Sequence, residues 1–200
     1  MKNLKIKAII GIVLCLSVLL CACGSTKTAS AADSEAAAVL TELDGLNFSF
    51  LSGAGGWCTE LHISADGSFS GNYHDSEMGD MTAEYPNGTV YTCSFSGRLE
   101  GYTAIDENSF SFTVAGLEYP TVGEESVTDE IRYVNAEPYG ISDGCTLTFF
   151  RAGSSIENIP EDMRFWLWAP GYMAQEDTAI PGMVFMSTAD ESVFISDVIA

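Results

Sequence analysis

The chain of 200 residues carries 28 acidic and 8 basic side chains, a net charge of −20, and 46% of its residues are hydrophobic. That acidity repels phosphate backbones and argues against nucleic acid as a partner. With only His62 and His74 in the whole chain, a zinc site built from several histidines cannot form, while the length suffices for one domain with a sizeable core.

Lys2, Lys5 and Lys7 precede an apolar stretch from Ala8 to Leu20, broken only by Gly11 and Ser17. The stretch is too short for a membrane-spanning helix, which needs about 20 apolar residues, but it has the length and flanks of a cleaved export signal. It leads to Leu20-Cys21-Ala22-Cys23-Gly24. The four residues ending at Cys23 resemble the lipobox of bacterial lipoprotein signals. That resemblance implies removal of residues 1–22 and lipid attachment at Cys23, with acyl chains such as palmitate. Cys21 fits less well, because Leu20 would stand where a small residue is needed. Two or more acyl chains hold a protein stably at a membrane, so the expected location is the extracytoplasmic face of the cell membrane.

The chain left after that cleavage carries 28 acidic and five basic residues, a net charge of −23. It repels anionic headgroups and attracts cations and basic partners, although acidity also serves plain solubility. Besides Cys23 it keeps Cys58, Cys93 and Cys145, an odd number for a disulfide framework, and no bridge is expected.

Residues 23–40 begin with small polar side chains and read as the lipidated cysteine and a flexible tether. Ala36 to Leu43 also has the pattern of a short helix, with acids before it and Gly45 after it. From Leu46 the period becomes two. Strands are predicted around Phe48 and Phe50, from Trp57 to Ser64, and from Phe69 to Tyr73 beyond the Asp66-Gly67 turn. A polar loop follows over His74–Gly88, then strands around Tyr91–Leu99 and Phe110–Val114. An acidic loop over Glu118–Glu130 precedes strands at Ile131–Tyr133 and Leu147–Phe149, and a final pair surrounds Asp190. One helix is predicted near 159–168, where Pro160 suits its first position and Pro170 its stop.

Eight to ten consecutive antiparallel strands hide their edges best by closing on themselves. The fold expected for residues 41–200 is therefore mainly β: a single antiparallel up-and-down barrel with one short helix near 159–168. The run from Trp57 through Asp66-Gly67 to Tyr73 resembles the opening of the lipocalin-like barrels of bacterial lipoproteins. Ser52-Gly53-Ala54-Gly55-Gly56-Trp57, Tyr73 to Asp80 and Tyr85 to Tyr91 resemble an uncharacterised family of Gram-positive lipoproteins. Neither resemblance implies an activity.

Motifs that carry chemistry are few. Gly53 to Gly56 lacks the third glycine of a dinucleotide loop, since position 58 is Cys58, and a strand follows in place of a helix. These glycines read as a tight turn or a close approach beside Trp57. Asp75, Glu77, Asp80 and Glu84 offer four carboxylates in the 75–84 loop for weak calcium binding. The EF-hand pattern fails there, because Asp80 stands at its glycine and Pro86 at its closing glutamate. Cys58, Glu60 and His62 share one strand face, but Cys58 and His62 stand roughly 13 Å apart at about 3.3 Å per residue. Gly67-Ser68-Phe69-Ser70-Gly71 has the glycines of a hydrolase elbow with Phe69 at the nucleophile position. Phe165, Trp166, Trp168 and Tyr172 form the densest aromatic cluster, expected to cover the open end of the barrel.

No catalytic, cofactor-binding or metal-binding residue is assigned, and the one site residue is Cys23. The expected function is that of a membrane-anchored, non-enzymatic module that binds a small molecule, a glycan or a basic protein. The alternatives are a carboxylate-based glycan hydrolase, which needs two carboxyls about 5–10 Å apart in a cleft, and an envelope structural or interaction protein.

Overall fold

A computed structural model describes residues 31–199. The elements are α1 (Ala31–Leu43), β1 (Asn47–Leu51), β2 (Trp57–Ile63), β3 (Ser68–Glu77), β4 (Thr89–Ala104), β5 (Ser109–Glu118), β6 (Glu125–Thr128), β7 (Ile131–Asn135), β8 (Thr146–Phe150), α2 (Phe165–Trp168), β9 (Gly182–Ser187) and β10 (Ser192–Ile199). Strands β1, β2, β3, β4, β5, β8, β9 and β10 pair in that order, each antiparallel to the next, and β10 returns to β1. The result is a closed eight-stranded up-and-down barrel, the fold class that the alternation predicts.

Phe48 and Phe50, Leu61 and Ile63, Phe110, Phe112 and Val114, and Leu147 and Phe149 alternate inward and are buried. Their rings meet across the interior: Phe48 and Phe149 each pack on Phe185, at centroid separations of 5.0 and 5.2 Å. Gly71 and Gly97 leave room for aromatic rings from the adjacent strand. A Cβ on Gly71 would strike the Phe95 ring, and one on Gly97 would lie 2.6 Å from the Phe69 ring. The interior is thus filled by side chains.

Strand β4 is long enough to serve two neighbours on one side. Register shifts between Ser96 and Arg98, and between Glu100 and Thr103, bend it. Its first residues, Thr89 to Thr92, pair with β7 in parallel, while its later half pairs with β5. Strand β6 pairs with β7 alone and ends the sheet order. The acidic loop expected over 118–130 is therefore partly a hairpin arm built onto β4.

Both ends of the barrel are covered. At the end carrying the β2–β3 turn, α1 inserts Val39 and Leu43 into the core, and Leu40 lies against Gly67. The short helix expected over Ala36–Leu43 is thus present and begins earlier, at Ala31, within the 23–40 segment expected to be a tether. Burial of Val39 and Leu43 supplies the stabilisation that a short helix lacks in isolation. At the opposite end, the mouth, the segment 136–144 crosses the barrel. Ile141 is buried there, the Thr59 Oγ1 hydroxyl donates to the Tyr139 carbonyl (2.7 Å), and the Ser192 hydroxyl donates to the Gly140 carbonyl (2.6 Å).

The helix predicted near 159–168 is divided into two 3-10 turns, Ile156–Asn158 and Glu161–Met163, and the single turn of α2. Its aromatic cluster does not cover the open end as expected. Ile159, Leu167 and Tyr172 pack with Val184, Met186 and Val193 on the outer face of β9 and β10, a second core outside the barrel wall. Trp166 reaches the rim, 4.9 Å from the Phe50 ring, with Phe165 packed on it. The reason lies in β9, whose Val184 and Met186 are apolar on the face away from the interior and need covering.

Candidate binding surface at the mouth of the barrel

The mouth is an aromatic assembly. Phe50, at the end of β1, receives Trp57 from β2 at 4.8 Å, Tyr139 at 5.6 Å and Trp166 at 4.9 Å. Trp57 in turn meets Tyr139 edge-on at 5.0 Å, and Phe165 packs on Trp166 at 5.3 Å. Phe50 is buried, but Tyr139 is 45% and Phe165 55% exposed. The Gly53 turn fits tightly here: a Cβ on Gly53 would sit 2.8 Å from the Ala169 carbonyl oxygen, and its φ of +74° suits glycine. That is the close approach beside Trp57 expected from the sequence.

Beside Tyr139 lies an open hollow of about 340 Å³, lined among others by Tyr119, Glu137, Ser142, Asp143 and Asp190. Two of its three carboxylates have structural tasks. Asp143 accepts the Leu117 backbone N–H (3.1 Å), and Asp190 accepts the hydroxyls of Ser142 and Ser187 (both 2.7 Å). Tyr73 packs behind Tyr139, with ring centroids 5.9 Å apart, and burial, aided by the charge of Asp75, pushes its phenol up to about 12. Three acids and two tyrosines share the lining with Leu117, Pro138 and Ile141, and no basic residue among the described ones joins them, which suits a cation better than an anion.

The arm that carries β6 rises from the same end. All residues from 118 to 130 are exposed. Arg132 on β7 anchors it, donating from Nε to Glu125 (2.9 Å) and from Nη1 to Asp80 (3.2 Å), with its guanidinium 5.5 Å from the Tyr85 ring. The backbone N–H of Asn87 donates to the Glu130 carbonyl (3.1 Å).

Cys23, the expected lipid attachment site, lies outside the described residues. The 75–84 loop does not gather its acids. Strand β3 continues to Glu77 and carries Asp75 with it, Glu77 accepts the Gly79 backbone N–H (3.0 Å), and Asp80 is paired with Arg132. Among the described residues no group of three or more His, Cys, Asp or Glu side chains is placed to hold a metal ion. In the 75–84 loop an extended strand carries Asp75 and Glu77, and Arg132 faces Asp80. His62 lies on the exposed face of β2, in hydrogen-bond contact with Asn47 (3.0 Å). Cys58, Cys93 and Cys145 are free thiols. The sequence missed Tyr139 and the crossing segment 136–144, which has no periodic pattern; Pro138 and Gly140 read only as turn residues.

Comparison of the chain with family models, with curated proteins and with solved structures gives no match.

Proposed function

We propose that this chain is a lipid-anchored, extracytoplasmic module that binds a partner through its outer surface and performs no catalysis. One observation carries the reading. The barrel interior is packed with phenylalanine rings, so the fold serves as a rigid scaffold and leaves only its exterior for recognition. A small apolar ligand held inside the barrel loses its support on the same ground. The partner favoured by the acidic surface is a basic protein.

The polarity of the molecule supports the anchor. Helix α1, the described element nearest in sequence to Cys23, covers the end opposite the mouth, so lipid on Cys23 would hold that end toward the membrane and turn the mouth and its acidic arm outward. The resemblance of Leu20 to Cys23 to a lipobox, and of Trp57 to Tyr73 to lipocalin-like lipoproteins, agrees with this placement.

The test is crosslinking of intact cells, followed by purification of the membrane-bound chain under denaturing conditions. A recurrent envelope partner, together with incorporation of labelled palmitate that Cys23→Ser abolishes, is the expected result. Unacylated protein retaining its first 22 residues, or the absence of any recurrent partner, overturns the proposal.

A further inference from the structure

Closing the barrel removes the edges of its strands, but the arm restores one. Among the described strands, β6 alone has no strand along an entire side, since it pairs with β7 and ends the sheet order. Such an edge presents unpaired N–H and C=O groups as a template for another chain. No helix or loop among the described residues covers it, and every residue from 118 to 130 is exposed.

The hairpin register identifies which groups face outward. Asp129 (φ +53°) and Glu130 (φ +64°) form the two-residue turn, and both positive φ values match the turn type that suits the twist of a hairpin. Thr128 and Ile131 flank that turn, so the bonds to β7 run through Thr128 and Ser126. The backbone groups of Glu125 and Val127 then point away from β7. Arg132 holds the arm to Glu125 and Asp80, which reduces the ordering entropy that binding would cost.

The geometry points to β6 as an acceptor edge that takes an extended peptide segment bearing lysine or arginine as an additional strand. Charge selects that occupant. Glu118 ends β5 beside the arm, Glu124, Glu125, Asp129 and Glu130 lie on it, and Arg132, next to its turn, already faces Glu125 and Asp80. These carboxylates repel a second copy of the same edge and attract a basic strand. Strand addition of this kind draws affinity from main-chain hydrogen bonds and selectivity from alternate side chains. The inference rests on the chain being a partner-binding module and names the surface that would do the binding.

The test is fluorescence anisotropy of a labelled peptide of alternating lysine and threonine with the full, detergent-solubilised chain. Two controls use the unaltered protein: the same peptide N-methylated at alternate residues, and a peptide of alternating glutamate and threonine. The basic peptide binds, and each control binds at least about tenfold more weakly, a difference of about 1.4 kcal/mol. Val127→Pro removes an outward N–H at an edge position where proline is tolerated, and weakens the basic peptide by a similar factor with an unchanged circular dichroism spectrum. Glu118→Gln with Glu124→Gln weakens it several-fold and flattens its salt dependence. Equal binding of the N-methylated peptide, of the acidic peptide or by Val127→Pro overturns the inference. So does the absence of any binding, and in that case a crosslinked partner would still uphold the module while placing its contact on another surface.

Discussion

Arg151 and Glu42 meet across 109 positions of sequence: the guanidinium donates from Nε and Nη2 to the Glu42 carboxylate at 2.9 and 2.7 Å. The same arginine donates from Nη1 to the Glu107 carbonyl (2.8 Å) and lies over the Phe110 ring at 4.6 Å. One side chain at the end of β8 thereby holds the last turn of α1 against the barrel floor. Both side chains are about a third exposed, 31% for Arg151 and 28% for Glu42, so solvent screens the pair in part.

Glu42→Ala should lower stability by about 1–2 kcal/mol, the range for hydrogen bonds to charged groups reduced by solvent screening of this partly exposed pair. Urea denaturation checks the magnitude. Hydrogen exchange checks the cause, since protection should fall first in residues 37–43. Uniform loss of protection across the barrel would show that the pair does not act through α1.

The filled interior makes a second expectation. Gly71→Ala adds a methyl group that meets the Phe95 ring and the Glu60 carbonyl, and overpacking of this kind costs about 1–3 kcal/mol. Thermal denaturation should show that loss. A fluorescent fatty acid should leave the midpoint of the unaltered protein in place, and a clear upward shift would reveal a cavity that the packed rings do not provide.

The thiols supply a pH dependence. Burial pushes Cys93 and Cys145 from the usual 9.0 up to about 11, and the carboxylates of Glu137 and Asp190 push in the same direction. Between pH 9 and about 11 the unfolded chain has released these protons while the folded chain keeps them. Stability is therefore complete below pH 9 and falls as pH rises through that window. Urea midpoints from pH 8 to 11 should decline. At pH 8 an alkylating reagent should modify the half-buried Cys58 ahead of the other two, which should react only on unfolding.

Much of the barrel was legible because side-chain alternation is a local property. Phe48 and Phe50, Leu61 and Ile63, and Phe110 and Phe112 each declare an inward face within a few residues, and the Asp66-Gly67 turn declares a hairpin. The candidate surface was far less legible. Glu124 and Glu125 read as part of a polar loop because β6 has no buried side, and a strand exposed on both faces shows no apolar period. Tyr139 gave no signal at all, since its role comes from stacking on Phe50, which lies 89 positions earlier.

From residue order alone came the β class, the sense of each alternating strand, the acidic character and the resemblance of the leader to an export-and-lipidation signal. These follow from composition and from patterns spanning a few neighbours. Tertiary structure alone decided that α1 docks as a floor, that β7 joins β4 in parallel and leaves β6 as a free edge, and that residues 156–180 cover the outer wall and lend only Phe165 and Trp166 to the mouth. Each of those outcomes depends on which distant surface supplies buried contact for Leu43, Val134 or Leu167. That contact energy is set by the assembled barrel and is not encoded in any short window of the chain.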